Sequence, residues 1–229
     1  NNSQVANTNN AVLQNYYWSF GDGGQDNATS TSHVYGQAGS YQAQLRVETN
    51  HGCTDTSQFT VLVHPNPSIA NISTQPGCEG GSTPLQAQVN LANINNASII
   101  TEIWNTGDGN TANGANTSHT YAQPGTYTAQ LQVTTNHGCV DSAQISTVVN
   151  PVPQLVQSSF PDVCLGQLSQ FSQSTTLANV NNAQITGFAW DFGNGNQSNS
   201  LNPTQLYAQT GSYIVQLTVQ TNQNCPMVV

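Results

Sequence analysis

The sequence has almost no positive charge: it contains no lysine, and Arg46 is the one basic residue among 229. Ten acids against that arginine give a formal net charge of −9. Neutralising nucleic-acid phosphates, or gripping an anionic lipid surface, needs clustered Lys and Arg, so the composition excludes both partner classes. Long apolar runs are missing too, and nothing approaches the ~18 residues that a membrane-spanning helix requires. No stripe of helical periodicity is visible either. Only 5% of residues are charged, yet 36% are hydrophobic, which is enough to build a core and unlike a charge-rich disordered chain. Asn, Gln, Ser and Thr take the place of charge. The chain opens at Asn1 without a Met, a basic segment or an apolar segment, so any secretion signal lies outside this sequence or has been removed.

What is present is a repeat. Trp18, Trp104 and Trp190 are spaced by 86 residues, and the cysteines keep the same step in two series, Cys53/Cys139/Cys225 and Cys78/Cys164. The tyrosine pairs Tyr35/Tyr41, Tyr121/Tyr127 and Tyr207/Tyr213 repeat without an insertion. Proline cannot donate to a sheet ladder, so His64-Pro65-Asn66-Pro67 and Asn150-Pro151-Val152-Pro153 read as linkers between copies. They divide the chain into 1–64, 65–150 and 151–229. Aligned on the repeat, the first copy lacks its opening 22 residues and the last lacks 7, which is expected of a segment of a longer tandem array.

Within a copy the period is two. Tyr127, Ala129, Leu131 and Val133 alternate with Thr126, Thr128, Gln130 and Gln132, the pattern of a strand with one buried and one wet face. Tyr41-Ala43-Leu45-Val47 and Tyr213-Val215-Leu217-Val219 keep that apolar face. Asn136-His137-Gly138 supplies a turn before a further strand over Val140 to Val149. Ser68 to Ser73, Pro84 to Leu91, Ile99 to Asn105 and Asn116 to Tyr121 are further strand candidates at sandwich spacing. The expected fold is all-β, with each copy a small β-sandwich near the size where staples help a single core.

At the aligned tryptophans the copies read Trp18-Ser19-Phe20-Gly21-Asp22-Gly23, Trp104-Asn105-Thr106-Gly107-Asp108-Gly109 and Trp190-Asp191-Phe192-Gly193-Asn194-Gly195. This resembles the W-D-F-G-D-G signature of polycystic kidney disease (PKD) domains. The family's second signature, H-x-Y followed by P-G-x-Y-x-V-x-L-x-V, is matched by His119-Thr120-Tyr121 and by Pro124-Gly125-Thr126-Tyr127 through Val133. His33 and Tyr35 match in the first copy, whereas Gln205 replaces the histidine before Tyr207, and Ala38 and Thr210 stand where the family often has proline. The resemblance implies tandem immunoglobulin-like sandwiches and an extracellular or cell-surface setting. It is strongest with cysteine-bearing PKD arrays of bacterial surfaces.

The signature also has a direct physical reading. The tryptophan fills the sandwich centre, the glycines permit positive φ, and the Asp accepts backbone N–H groups in the turn. Asn194 can serve the same turn, which favours a structural role. A weak cation site at Asp22 or Asp108 is the other reading, although a calcium cage needs six to eight oxygens. Zinc is disfavoured because no C-x-x-C or H-x-x-x-H spacing occurs. A Cys–His nucleophile at Cys53 or Cys139 would lack a recurrent acid partner. The acids are scattered without a recurrent pair for glycoside hydrolysis. No enzyme activity and no cofactor are expected.

If the sandwiches follow immunoglobulin order, Cys78 and Cys139 lie at opposite ends of one copy. A strand spans roughly 20 Å, whereas bridged Cα atoms are at most ~7 Å apart. Pairing between copies, Cys78 with Cys225, is then favoured, with Cys53 and Cys164 pairing outside this sequence. Two alternatives stay open: Cys78–Cys139 with Cys164–Cys225, and Cys53–Cys78 with Cys139–Cys164. Any of them requires an oxidising compartment.

The leading functional expectation is a segment of an extracellular stalk, fibre or filament whose partners are neighbouring copies of the same array. Unblunted edge strands would serve as lateral contacts. The second expectation is an adhesin or polysaccharide-binding accessory of a larger secreted protein, with Tyr16, Tyr17, Phe160 or Phe188 stacking on sugar rings at a glycan or cell surface.

Overall fold

The computed structural model describes residues 1–6 and 8–229, and among them it contains strands and no helix. The first copy supplies β1 (Leu13–Ser19), β2 (Gln25–Asp26), β3 (Gly39–Thr49) and β4 (Thr54–Val63). The middle copy supplies β5 (Ser68–Thr74), β6 (Gly77–Cys78), β7 (Ser82–Asn90), β8 (Ile99–Asn105), β9 (Thr111–Asn113), β10 (Thr117–Thr120), β11 (Gly125–Thr135) and β12 (Val140–Asn150). In the last copy are β13 (Gln154–Ser159), β14 (Leu168–Gln170), β15 (Ser172–Thr176), β16 (Ile185–Asp191), β17 (Gln197–Ser198), β18 (Thr204–Leu206), β19 (Gln216–Thr221) and β20 (Met227–Val228).

Sheet order repeats with the sequence. The first copy forms β2-β1-β3-β4, the middle copy β10-β7-β5 and β6-β12-β11-β8-β9, and the last copy β13-β15, β14-β18 and β17-β16-β19-β20. The strand carrying each tryptophan lies beside β3, β11 or β19, and β3 and β11 start at the repeated Gly-x-Tyr. In the first and last copies it pairs antiparallel, Trp18 opposite Leu45 and Trp190 opposite Leu217. Both tryptophan strands also carry a register shift at the same repeat position, after Leu13 and after Ile185. Alternation explains these elements: β3 and β11 bury Ala43/Leu45/Val47 and Ala129/Leu131/Val133 while Gln44, Arg46, Gln130 and Gln132 between them take the other face.

By contact, the chain forms two compact units, and the division runs through the middle copy. One unit comprises Asn1–Ala70, Val89–Glu102 and Gln132–Asp141; its buried apolar residues include Phe20, Ala43, Leu45 and Val47. The other comprises Asn71–Gln88, Ile103–Leu131 and Ser142–Val229. Phe171, Trp190, Phe192, Leu217, Val219 and Met227 form one core cluster there, and Leu85, Trp104, Tyr121, Leu131 and Val149 are also buried. The linkers His64–Pro67 and Asn150–Pro153 each fall inside a unit.

The last copy departs from the sequence pattern in one place. Tyr213 to Val215 alternate like their counterparts, yet β19 begins only at Gln216. In the first copy β4 pairs with β3 from Gly39↔Val63 to Glu48↔Thr54, whereas β20 offers only Val228 and Met227, opposite Thr218 and Val219. Periodicity encodes which face is apolar; a ladder also needs a partner.

The signature turn depends on two glycines for different reasons. Gly107 has φ +85°, and a Cβ there would sit 2.5 Å from the Thr128 carbonyl oxygen; Gly109 has φ +90° with open space around it. Gly107→Ala therefore incurs both backbone strain and a clash with β11, while Gly109→Ala incurs the strain alone, of order 1–3 kcal/mol. Urea denaturation is expected to rank the two variants with Gly107→Ala the more destabilised, and equal losses would refute the close-approach argument.

Candidate functional site

Two sets of residues recur in every copy with preserved geometry: the turn after each tryptophan, and the end of the sandwich where the hairpin turn and an asparagine pair meet. In the turn, Asp22 Oδ1 accepts the Gly24 N–H at 2.9 Å, Asp108 Oδ1 the Asn110 N–H at 3.1 Å, and Asn194 Oδ1 the Asn196 N–H at 3.1 Å. The second oxygen of each Asp meets a histidine: Asp22 Oδ2 lies 2.6 Å from His33 Nε2 and Asp108 Oδ2 lies 2.7 Å from His119 Nε2. These histidines sit two residues before Tyr35 and Tyr121, whose hydroxyls donate to the carbonyls of Phe20 and Thr106. Tyr207 does the same to Phe192 although Gln205 replaces the histidine. Trp18, Trp104 and Trp190 close the turn by donating Nε1–H to Ala28, Ala115 and Ser200.

Electrostatics follow from these contacts. The hydrogen bond to His33, then that from Gly24, holds the Asp22 carboxyl below its ordinary range. At Asp108 burial works against the charge, but hydrogen bonds from Thr106, His119 and Asn110 outweigh it and hold the carboxyl well below that range. Burial, with the Asp108 charge behind it, pushes the Tyr121 phenol up to about 12. Among the described residues no group of three or more His, Cys, Asp or Glu is placed to hold a metal ion.

The second set was not singled out from sequence. Asn9 and Asn10, Asn95 and Asn96, and Asn181 and Asn182 all have φ between 53° and 57°. This left-handed conformation is one that asparagine tolerates better than most residues. Each pair is latched to the hairpin turn of its own copy. Asn50 Nδ2 donates to Asn10 O, Asn136 Nδ2 to Asn96 O, and Asn222 Nδ2 to Asn182 O, at 3.0–3.1 Å. The same three side chains accept from the N–H groups of Val12, Ser98 and Gln184. His51 Nε2 lies 3.0 Å from Asn9 O, and Gln223 Nε2 donates to Asn181 O at the matching place.

This end of the sandwich grips the copy before it. Asn95 Nδ2 donates to Gly39 O at 2.9 Å and to Val63 O at 3.0 Å, and the His137 ring stacks on His64 with centroids 3.4 Å apart. At the following linker Asn181 Nδ2 donates to Val149 O at 3.1 Å. There Cys225 forms a disulfide with Cys78, Cα atoms 5.5 Å apart, while Glu79 Oε2 lies 3.5 Å from the Val152 N–H. Neither same-copy nor sequential pairing is observed; Cys53, Cys139 and Cys164 are free.

Of the four aromatics with a sugar-stacking reading, Tyr17 is covered by Arg46, whose Cζ lies 4.3 Å from the ring centroid. Phe188 packs against the core of the last copy, and Tyr16 is half-buried. Phe160 is 48% exposed and lines a cavity of about 440 Å³ with Val163, Cys164, Leu165, Tyr207 and Tyr213.

Repeated all-β sandwiches, each closed by a W-x-x-G-D/N-G turn held by a tyrosine hydroxyl, define a tandem immunoglobulin-like module protein. The family model for the PKD domain matches residues 2–63, 64–150 and 148–228, and the chain belongs to that family. It is 38% identical over 63 residues to collagenase ColA of Bacillus cereus, covering 28% of this chain and 7% of that protein. Over 86 residues it is 33% identical to collagenase ColA of Clostridium perfringens, covering 38% and 8%. The chain therefore spans less than a tenth of the curated relatives it matches. Among solved structures, the PKD1 domain of Vibrio anguillarum Epp is 20% identical and covers 37% of this chain and 93% of its own, with a TM-score of 0.32.

The Asp108 carboxylate yields a pH prediction. Its folded-state pKa is depressed, so its stabilisation is complete above the ordinary carboxylate value of about 3.9 and is lost as pH falls below it. Asp108→Asn, which copies the Asn194 turn, is expected to cost about 1–3 kcal/mol near pH 7. That deficit should be full at pH 7 and shrink only in part by pH 3, where the folded carboxyl, held well below the ordinary range, is still ionised; it should vanish only as pH falls through that lower folded-state value. Urea unfolding at pH 7 and pH 3 checks this, and the same deficit at both would contradict the assignment.

Proposed function

We propose that these repeats are non-catalytic spacer modules of a larger secreted protein, holding another part of that protein at a set distance and orientation outside the cell. The observation that carries this reading is the recurring junction. The asparagine clasp from Asn95 and Asn181 is used at both linkers, and the Cys78–Cys225 bridge adds a covalent tie at the second. Membership of the PKD family and similarity to parts of two collagenases support placement within a long extracellular protein. The disulfide fits an oxidising compartment. The finer proposal is that the junctions make the segment a stiff stalk rather than a flexible string.

Small-angle scattering of the purified chain tests stiffness. Cys225→Ser, or reductant, is expected to broaden the distribution of pair distances within the molecule while circular dichroism stays unchanged. An unaltered distribution would remove stiffness from the proposal.

A second reading has one specific observation behind it: Phe160 is exposed beside the cavity of the last copy. Polysaccharide binding there would be lost in Phe160→Ala and kept in Tyr17→Ala on a glycan array. Retention by both variants, or binding by neither protein, would end that reading.

A further inference from the structure

The chain is rich in asparagine, yet only Asn113 and Asn194 are followed by glycine. That step matters chemically because a backbone nitrogen can attack the side-chain carbon of the residue before it, and a glycine, having no Cβ, leaves its nitrogen unshielded. Two differences separate the two steps. Asn113 is held in β9, where it faces Ile103 in the ladder. Asn194 lies between β16 and β17, in the turn that follows Trp190, and Gly195 has φ +88° with nothing within 4 Å of where a Cβ would stand. Exposure of this turn is a property of the copy itself. Gly107, Gly109 and Asn110, at the same repeat positions of the middle copy, are exposed as well.

The turn also positions the groups that the reaction uses. Asn194 Oδ1, the oxygen that gains charge when its carbon is attacked, accepts the Asn196 N–H at 3.1 Å. A fixed N–H on that oxygen stabilises a tetrahedral intermediate, as the donors of an oxyanion hole do. The Asn196 carbonyl in turn accepts the N–H of the buried Phe192 at 3.1 Å, which ties the donor to the core. Asn194 is exposed, so its Nδ2 can take a proton from water and leave as ammonia. Asp22-Gly23 and Asp108-Gly109 hold the same turn with the same bond from side chain to backbone. Those two are inert because they are charged. The hydrogen bond to His33 keeps Asp22 ionised; at Asp108 burial is outweighed by hydrogen bonds from Thr106, His119 and Asn110, and a carboxylate is a poor electrophile. Asn194, an uncharged amide, is the one electrophile of the three.

We propose that Asn194 is a self-modification site, at which the folded turn converts the amide into the acid that the other two copies carry. The Gly195 nitrogen forms a bond to Asn194 Cγ and gives up its proton, the Cγ–Nδ2 bond breaks, and ammonia departs to leave a five-membered imide. Water then adds to one imide carbonyl and the ring C–N bond breaks. Opening at Cγ returns a proton to the Gly195 nitrogen and yields aspartate; opening at the main-chain carbonyl yields isoaspartate, which adds a methylene to the backbone. One amide and one water become one carboxylic acid and one ammonia, with no oxidant or reductant. The Asn196 N–H polarises the Cγ carbonyl, so it favours opening there. The aspartate that results keeps this bond in charge-assisted form. Nothing in the proposal depends on the spacer reading.

The test is incubation of the purified, disulfide-intact chain at mildly alkaline pH in water enriched in heavy oxygen. Chymotryptic mapping with electron-transfer fragmentation then locates each conversion and tells aspartate from isoaspartate. The expected result is ammonia release and heavy-oxygen incorporation at Asn194, several-fold faster than at Asn113, with aspartate the larger product. Unfolding the chain in urea should bring the two rates together and shift the product towards isoaspartate. Gly195→Ala should slow the conversion several-fold, and Asn194→Asp should release no ammonia from this turn. Because Gly195→Ala also strains the backbone, the comparison of folded with unfolded wild-type chain decides the matter should that variant fail to fold. No conversion of Asn194 in the folded chain, conversion no faster than at Asn113, or the same share of isoaspartate folded and unfolded would each overturn the proposal.

Discussion

Everything in each sandwich is referenced to one hydrogen bond, that from a tyrosine hydroxyl to the carbonyl two residues past the tryptophan. Tyr121 is fully buried, and its hydroxyl reaches Thr106 O at 2.9 Å; Tyr35 and Tyr207 reach Phe20 O and Phe192 O at 3.1 and 3.2 Å. A buried phenol without an acceptor costs roughly 1–3 kcal/mol, so the carbonyl must stay where the ring can find it. That requirement fixes the start of the Gly-Asp/Asn-Gly turn and sets the depth of the tryptophan strand. It also places the next tyrosine, since Tyr35, Tyr121 and Tyr207 stack on Tyr41, Tyr127 and Tyr213 at 4.2–4.4 Å.

The fold was legible because those constraints act on single residues with no good substitutes. Only glycine fits where Gly107 approaches Thr128, and only a large ring fills the space around Trp104, so the repeat is printed in rare residue types. His33 and His119 could be read as framework residues, but not as partners of Asp22 and Asp108, because that pairing depends on two segments eleven residues apart folding against each other. At the ends of the sandwiches the sequence was nearly silent. Thr8-Asn9-Asn10-Ala11, Ile94-Asn95-Asn96-Ala97 and Val180-Asn181-Asn182-Ala183 recur at the same period. In so amide-rich a chain an asparagine pair does not stand out, and its left-handed backbone is invisible to polarity patterns.

The two linkers show how one geometry tolerates different chemistry. His64 and His137 stack at the first, while Asn150 and Gln223 hold the same repeat positions at the second. His64 Nδ1, Asn150 Oδ1 and Gln223 Oε1 are buried without a hydrogen-bond partner. Such groups are costly, and of these side chains Gln223 offsets the cost in part by donating Nε2–H to Asn181 O. The clasp asparagines supply the polar pairing instead, through backbone carbonyls that are present whatever side chain the linker carries.

The bridge from Cys78 to Cys225 changes what a pull on the chain would do. Tension entering at one end crosses directly from one sulfur to the other, and the 147-residue separation between them is bypassed. Fully drawn out, a stretch of that length reaches about 500 Å. While the bond is oxidised this slack is locked away, and the enclosed sandwiches feel almost none of the load. Reduction passes the load to those sandwiches, and the length is gained only where their ladders and cores give way.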